Sequence, residues 1–282
     1  MSEEFVPFGL STAEAETRRV LVDGIPDWMA ASISDWIARR IGSSKLANLD
    51  TVRQIESHCL LNLETPAFGA YWPLARAMDP ILNMNDEHIL RIVDFLLSRQ
   101  STGSTEVTKL REILHHGCSK WTIGQVDQKA RLVERVPSGV QDAAEESIAA
   151  GGAAGALLGQ AWSKVHTYEP DSSGAYAAAV KAVEAASFPA LGITDREATL
   201  GNTIRAIEGG GWGLPFVREH SKAPSQDVLL GMLRCLWRGH RDRHGSDDYS
   251  DVNHDEALAA VTLAVTLVAW FAGGAVRPVL DR

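Results

Sequence analysis

Cysteine is scarce in this chain, with three residues among 282, and they lie far apart at positions 59, 118 and 235. An odd number of cysteines at such wide spacing excludes a disulfide framework. None of them has a partner in a Cys-x-x-Cys pair. We therefore expect a cytoplasmic protein, because free cysteines are typical of a reducing compartment.

Two features of exported and membrane proteins are also missing. The opening residues, Met-Ser-Glu-Glu-Phe, are acidic and show neither the basic end nor the apolar core of a signal peptide. The most apolar stretch, residues 257–272, is shorter than the roughly 20 residues that cross a bilayer. It also contains Thr262 and Thr266. We predict no membrane association, and we expect this stretch to form the buried central helix of a bundle.

Positive charge is in deficit, since 27 lysines and arginines face 36 aspartates and glutamates, for a net charge of −9. Binding to nucleic acids is dominated by phosphate contacts, so this balance excludes a general nucleic-acid coat. It leaves room for a local basic site that touches a few phosphates. The chain also lacks a P-loop, a Gly-x-Gly-x-x-Gly and a Gly-x-Ser-x-Gly motif, which argues against nucleotide-driven and serine-hydrolase chemistry.

What the sequence does contain is helical periodicity in both halves. In the N-terminal half, apolar residues recur at helical spacing over residues 26–41, 49–63, 71–78, 86–99 and 106–115. Residues 121–123 and 131–136 then read as two short strands of a hairpin. The turn signal Pro137-Ser138-Gly139 marks the predicted domain boundary. The predicted fold is therefore mainly α, with an N-terminal helical domain, residues 1–137, that ends in a small β-hairpin, and a C-terminal helical bundle, residues 138–282.

The C-terminal half is predicted to open with one long helix over residues 140–168, capped by Ser138. Its glycines, Gly151, Gly152, Gly155 and Gly159, lower helix propensity, and close packing of another helix, within the domain or across a dimer, would explain them. Further helices are expected over residues 174–187, capped by Ser172 or Ser173, and over residues 199–208. The final helix should begin at Asn253, with Glu256 completing a capping box, and run to residue 271.

A basic turn, residues 238–245, separates a helix that begins near residue 229 from the final helix. It holds Arg238, His240, Arg241, Arg243 and His244 between or beside two glycines. Histidine can act as a base near neutral pH, and arginine grips phosphate oxygens in a fork, so these residue types suit phosphodiester cleavage. On one continuous helix Arg238 and His244 would lie about 120° apart, but a turn broken by glycine could aim both at one point. The simpler interpretation is a solvated, Arg-rich helix end that complements the macrodipole.

The element Arg238-x5-His244, followed by a long apolar helix, resembles the HEPN superfamily of helical-bundle ribonucleases. The spelling Arg243-His244-Gly245 before an acidic stretch is most similar to the C-terminal domains of abortive-infection proteins. The resemblance covers about residues 138–282 and implies RNA cleavage by Arg238 and His244 without a metal or other cofactor, across the interface of a homodimer. The family commonly has Asn, Asp or His where this chain has Gly239. Either His240 or Asp242 takes that role, or the motif is partly degenerate.

The resulting prediction is an endoribonuclease in which His244 removes a proton from a ribose 2′-hydroxyl and Arg238 stabilises the charge on phosphorus. Arg241, Arg243 and His240 would hold phosphates of the RNA substrate. The resemblance implies a defence or toxin role, an antitoxin or phage-derived trigger as a partner, and a sensing or regulatory N-terminal domain. A non-catalytic helical module that binds RNA or an acidic protein partner is the alternative.

A metal site is the third possibility at the basic turn. His240 and His244 are four residues apart, and His254 follows close by among several aspartates. Histidines at that spacing can share a metal on a helix. The glycines argue against a continuous helix here, so we predict no metal.

Overall fold

The structure is a computed structural model that describes residues 21–67, 71–216, 222–239 and 252–278, with the backbone alone for Arg238 and Gly239. It is mainly helical (63% helix), with 11 helices and small two-stranded antiparallel hairpins in these ranges. The predicted fold class is therefore confirmed. The chain divides into two compact units, residues 1–135 and 136–282.

In its described residues, 21–67 and 71–135, the N-terminal unit contains five helices, a short hairpin with two-residue strands and a longer hairpin. Its helices are α1 (Asp27–Ile41), α2 (Leu49–Cys59), α3 (Leu74–Leu82), α4 (Asp86–Leu97) and α5 (Thr105–His116). The short hairpin pairs β1 (Gly42–Ser43) with β2 (Leu46–Ala47), and the longer one pairs β3 (Trp121–Val126) with β4 (Lys129–Glu134).

Local sequence signals set the starts of three of these helices. The side chains of Asn48, Asn85 and Ser104 accept hydrogen bonds from the backbone N–H groups of Thr51, His88 and Val107, respectively. Each bond satisfies one of the N–H groups that a helix N-terminus leaves open. The starts of α2, α4 and α5 therefore lie close to the predicted positions.

Helix α3 corrects one prediction, because it does not end at Asp79-Pro80 but continues through Pro80 to Leu82. Proline lacks the N–H that would bond four residues back, which normally ends a helix. Here Ala77, Met78 and Ile81 are buried, so packing against the core holds the last turn in helical form. Tertiary packing thus outweighs the local signal.

The longer hairpin turns at Asp127 and Gln128, which both have positive φ angles, 48° and 64°. Two successive residues with positive φ form the tight turn that matches the twist of a two-stranded ribbon. The hairpin is fastened to α4 by Asp94, which is 5% exposed. Its carboxylate accepts hydrogen bonds from Arg131 Nη2 at 2.6 Å and from the Leu132 N–H at 2.8 Å.

The C-terminal unit, in its described residues, is a helical bundle with one two-stranded antiparallel pairing between distant segments. Its helices are α6 (Ser138–Ala150), α7 (Gly152–His166), α8 (Ser172–Leu191), α9 (Leu200–Glu208), α10 (Ser225–Gly239) and α11 (His254–Ala272). Strand β5 (Trp212–Gly213) pairs with β6 (Arg277–Pro278). Helix α8 packs against α7, α9 and α11. Small side chains such as Ala161, Ala179, Ala182 and Ala264 are fully buried, and their size lets these helices approach closely.

Two predictions for this unit are wrong. The long helix over residues 140–168 is two helices, which separate at Gly151 and Gly152, where Gly152 has a φ of +54°. That left-handed conformation is readily adopted by glycine and breaks the helix. The serine caps are also absent: α6 begins at Ser138 without a side-chain cap, and α8 is capped by Asp171, which accepts from the Gly174 N–H at 2.8 Å.

Helix α11 has 19 residues and a mean hydropathy of 1.6 over an 18-residue window. By length and composition alone it could cross a membrane, the one such helix among the described residues. Eight of its side chains are buried inside the unit, from Ala257 to Phe271. It packs against α7 and α8 as a bundle helix, but only 44% of this window is buried, so its outer face is not covered as predicted.

Candidate functional site at the junction of α10 and α11

The basic turn follows α10, whose apolar face holds that helix in the bundle. Leu229, Leu233 and Leu236 recur at helical spacing and are buried. On the polar side, Arg234 Nη2 forms an ion pair of 2.6 Å with Glu208 Oε1 at the end of α9. Gln226 Nε2 donates to the carbonyl of Ile207 at 2.9 Å. The helix that leads into the basic turn is therefore fixed against α9 along most of its length.

The C-terminal end of α10 is tied to α8 by a buried tyrosine. Tyr176 lies in the second turn of α8, and its hydroxyl donates to the carbonyl of Leu236 at 2.9 Å. The last carbonyls of a helix have no N–H partner within the helix. The buried Tyr176 hydroxyl supplies a hydrogen-bond donor to one of them, the Leu236 carbonyl. Arg238 follows Leu236 by two residues, so this bond fixes the backbone that carries Arg238.

The start of α11 is fixed by local and tertiary bonds. Asn253 and Glu256 form the predicted capping box, with a bond of 2.8 Å from the Glu256 N–H to Asn253 Oδ1 and one of 3.3 Å from the Asn253 N–H to Glu256 Oε2. The preceding residue, Val252, is buried, and its N–H donates to Ser173 Oγ at 3.4 Å. The chain that leaves the basic turn thus also reaches α8.

Ser173 and Tyr176 bring both ends of the junction to the same part of α8. They are three residues apart on one helix, so their side chains lie on the same face, with Cβ atoms about 5–6 Å apart. Residues 240–251 therefore connect two points that are held close together. Sequence reasoning missed this arrangement, because Ser173 looked like a helix cap and Tyr176 like one of several apolar core residues.

Charge at this end of α8 is organised around Asp171. Its carboxylate forms an ion pair with Lys164 and accepts the N–H of Gly174. These hydrogen bonds, led by the one from Lys164, hold the pKa of Asp171 below its ordinary value. The cap keeps the first turns of α8 in place, and these turns carry both anchors of the junction.

Of the predicted site residues, the structure places only the backbone of Arg238, in the last turn of α10. His240, Arg241, Arg243 and His244 lie outside the described residues. The convergence of Arg238 and His244 therefore stays a prediction. The described residues contain no group of three His, Cys, Asp or Glu that could hold a metal. The alternative metal site involves His240 and His244, so it remains untested.

A groove of about 490 Å³ begins beside this junction, on the face of α11 that points away from the core. It runs from the first turn of the helix over about three turns and is lined by Asp255, Leu258, Ala259, Thr262, Leu263 and Thr266. Its lining is mostly apolar or small. A second helix could therefore lie against this face without burying a lysine or an arginine.

Comparison of the chain with protein-family models, with curated proteins and with solved structures gave no match.

Proposed function

We propose that the C-terminal unit is a metal-independent endoribonuclease of the HEPN type, with Arg238 and His244 as its catalytic residues. One observation carries the proposal. The helices on either side of the Arg-x5-His element are tied to adjacent turns of α8, through Tyr176 at 2.9 Å and Ser173 at 3.4 Å. Catalysis by positioned groups needs such a rigid frame, because a small displacement of a catalytic side chain costs much of the rate.

In the proposed reaction, His244 takes the proton from a ribose 2′-hydroxyl, and the 2′-oxygen attacks the adjacent phosphorus. The bond from phosphorus to the 5′-oxygen of the next nucleotide breaks, which leaves a 2′,3′-cyclic phosphate and a 5′-hydroxyl. Arg238 stabilises the additional negative charge that develops on the phosphate oxygens. Arg241, Arg243 and His240 hold neighbouring phosphates. DNA lacks the 2′-hydroxyl and is not cleaved.

The proposal includes a homodimer through the C-terminal unit. The outer face of α11 supports it, because this apolar helix has 44% of its most apolar window buried within one chain. The groove on this face starts at Asp255, in the first turn of α11. A second copy seated there would place two basic turns near one another. The biological role proposed with it is cytoplasmic defence or toxin activity of the abortive-infection kind, with the N-terminal unit responding to an antitoxin or a phage-derived trigger.

Cleavage of total RNA by the purified chain in EDTA tests the proposal. We expect cleavage by the wild type, and loss of cleavage in His244→Ala and in Arg238→Ala. Arg196→Ala is the matched control, since Arg196 is an exposed arginine of the same unit in the segment between α8 and α9. Single-stranded DNA is the substrate control and should stay intact. Equal cleavage by the wild type and both site variants would contradict the proposal, as would cleavage abolished by EDTA.

A non-catalytic interaction module is the second candidate, favoured by Gly239 directly after Arg238, where the HEPN resemblance predicts a polar residue. In this alternative the basic turn binds RNA or an acidic protein partner without cutting it. Binding of labelled RNA that weakens in Arg241→Ala and Arg243→Ala, with the RNA left intact, would establish this alternative over the nuclease. A gel that shows both the bound complex and the length of the RNA distinguishes binding without cleavage from cleavage.

A further inference from the structure

The N-terminal unit contains a pocket of about 340 Å³ between α1 and α5. The two helices run antiparallel: Trp28 Nε1 at the start of α1 donates to the carbonyl of Gly117 at the end of α5, at 3.3 Å. At the other end, Trp36 Nε1 donates to the carbonyl of Glu106 at 3.0 Å. The volume lies at the lower end of the range for small-molecule sites, about 300–1,000 Å³.

The floor of the pocket is apolar, and one wall is an exposed indole. Met29 and Ile113 form the floor with Gly117. A Cβ at Gly117 would overlap Met29 Sδ, so a larger residue there would displace the Met29 side chain. Trp28 is 69% exposed, although its Nε1 is hydrogen-bonded. The bond holds one edge of the indole in place and leaves much of its surface accessible to a planar ligand.

Polar side chains line the rim in a regular order. Lys109, Glu112 and His116 follow each other at spacings of three and four residues on α5, so they share one face and span about 10 Å along the helix axis. Ser32 faces them from α1, one turn after Trp28. Lys109 Nζ forms an ion pair of 3.1 Å with Glu106. An ammonium has three donors, so Lys109 keeps donors for a ligand.

We infer that this pocket binds a nucleotide, with its base stacked on Trp28 and its phosphate held by Lys109 and Ser32. An aromatic side chain stacks on any base, and a nearby cation and hydroxyl suit a phosphate. Glu112 lies on α5 between Lys109 and the end of the helix beside Trp28. Its ionised carboxylate can accept hydrogen bonds but cannot donate them. Guanine presents two adjacent N–H donors to a carboxylate, whereas adenine presents only its exocyclic amine, so the pocket prefers guanine. This inference goes beyond the proposed nuclease and does not depend on it.

Calorimetric titration of the full chain with GMP, AMP and a short guanine-containing single-stranded RNA tests the inference. The His244→Ala chain is used throughout, so that RNA stays intact. We expect saturable binding of GMP that is tighter than that of AMP. Binding of GMP identifies a free nucleotide as the ligand. Binding of the RNA alone identifies a nucleotide within RNA only where Trp28→Ala weakens it, because RNA held at the basic turn would not depend on Trp28. In either case Trp28→Ala weakens binding about tenfold or more, because stacking on an aromatic side chain contributes that much.

Three further variants assign the roles within the pocket. Trp28→Phe keeps an aromatic face and most of the binding. Glu112→Gln reduces the preference for GMP over AMP by about tenfold, the discrimination expected from one paired base edge. Lys109→Ala weakens binding of GMP more than binding of guanosine, which has no phosphate. Tyr71→Ala is the matched control, because Tyr71 is 72% exposed, lies outside the pocket and belongs to the same unit.

Several results would overturn the inference. One is that neither mononucleotide nor the RNA binds saturably. Another is that Trp28→Ala binds as tightly as the parent chain while its circular dichroism spectrum is unchanged. A third is binding of arginine methyl ester through Trp28 and Glu112 in the absence of GMP binding, which would assign the pocket to a cationic peptide side chain instead. Loss of RNA cleavage in the nuclease test leaves these results unaffected, so the two proposals fail separately.

Discussion

Gly155 of α7 lies directly against the carbonyl oxygen of Ile148 in the last turn of α6, so closely that a methyl group at Gly155 would overlap that oxygen. The contact explains one of the four glycines of this region by packing within the unit. Gly159, one turn later, has ordinary space, since an added Cβ would lie 3.5 Å from Ile148 Cγ2. The two positions form a matched pair on one helix.

Alanine substitutions at these two positions should have opposite effects. Gly155→Ala must displace backbone, and we expect it to lower the free energy of unfolding by about 1–3 kcal/mol. Gly159→Ala gains helix propensity without a clash, so stability should stay equal or rise by up to about 1 kcal/mol. Urea unfolding followed by circular dichroism measures both. Equal losses at the two positions would show that the contact with Ile148 is not what requires glycine.

The bond from Tyr176 to Leu236 should matter for both stability and activity. Tyr176→Phe removes the hydroxyl from a buried position and leaves the ring in place, so we expect a loss of about 1–2 kcal/mol in the free energy of unfolding. The end of α10 then becomes less fixed, and RNA cleavage should fall at temperatures where the variant is still folded. Tyr71→Phe, at an exposed tyrosine, is the control and should change neither quantity. Undiminished cleavage by Tyr176→Phe would remove this bond from the frame of the site.

Substitution of the buried Asp94 should strongly lower the free energy of unfolding of the N-terminal unit. Asp94→Ala removes the buried carboxylate that accepts from Arg131 and from the Leu132 N–H, and we expect the free energy of unfolding to fall by about 3 kcal/mol. Asp35→Ala is the control, since Asp35 forms an exposed ion pair with Arg39 at 3.5 Å, which should contribute less than about 1 kcal/mol. Thermal unfolding of both variants measures the two losses of stability for comparison. A similar small effect for both would mean that the hairpin does not depend on Asp94.

The Asp171 cap should make stability depend on pH in the acid range. Its pKa is lowered from the ordinary 3.8, chiefly by the hydrogen bond from Lys164 and then by that from the Gly174 N–H. The ionised form is therefore stabilised in the folded state. This contribution is fully present above the unfolded value of about 4 and is lost as the pH falls through the folded pKa. Asp171→Asn keeps an acceptor oxygen but has no charge to titrate.

We expect wild type to be more stable than Asp171→Asn at pH 7, and the difference to shrink towards pH 3. Asp171→Ala also loses the cap and should be about 1 kcal/mol less stable than Asp171→Asn at both pH values. Urea unfolding at pH 7 and pH 3 provides the comparison. A difference between wild type and Asp171→Asn that is the same at both pH values would contradict the assigned charge interaction.

Where local signals were strong, the sequence predicted the element correctly. The spacing of Met29, Ile33, Trp36 and Ile37 indicates α1, and Asn253 with Glu256 indicates the start of α11, because helical periodicity and a capping box act over a few residues. The hairpin over residues 121–134 was also predicted, because strand-forming residues on either side of a polar loop are a local signal. The strands extend further into that loop than predicted, over 121–126 and 129–134. That a helix precedes and another follows residues 240–251 is also predicted from sequence alone.

The sequence by itself therefore determined that this is a mainly helical protein and where most of its helices begin along the chain. Only the tertiary structure decided that α3 continues past Pro80, that α6 and α7 separate at Gly152 and that Asp171 caps α8. It also decided that Ser173 and Tyr176 hold both ends of the junction, and that Trp28 faces the rim of α5. The reason is physical: periodicity and caps depend on neighbours within a few residues, whereas these features depend on buried contacts between residues far apart in the chain.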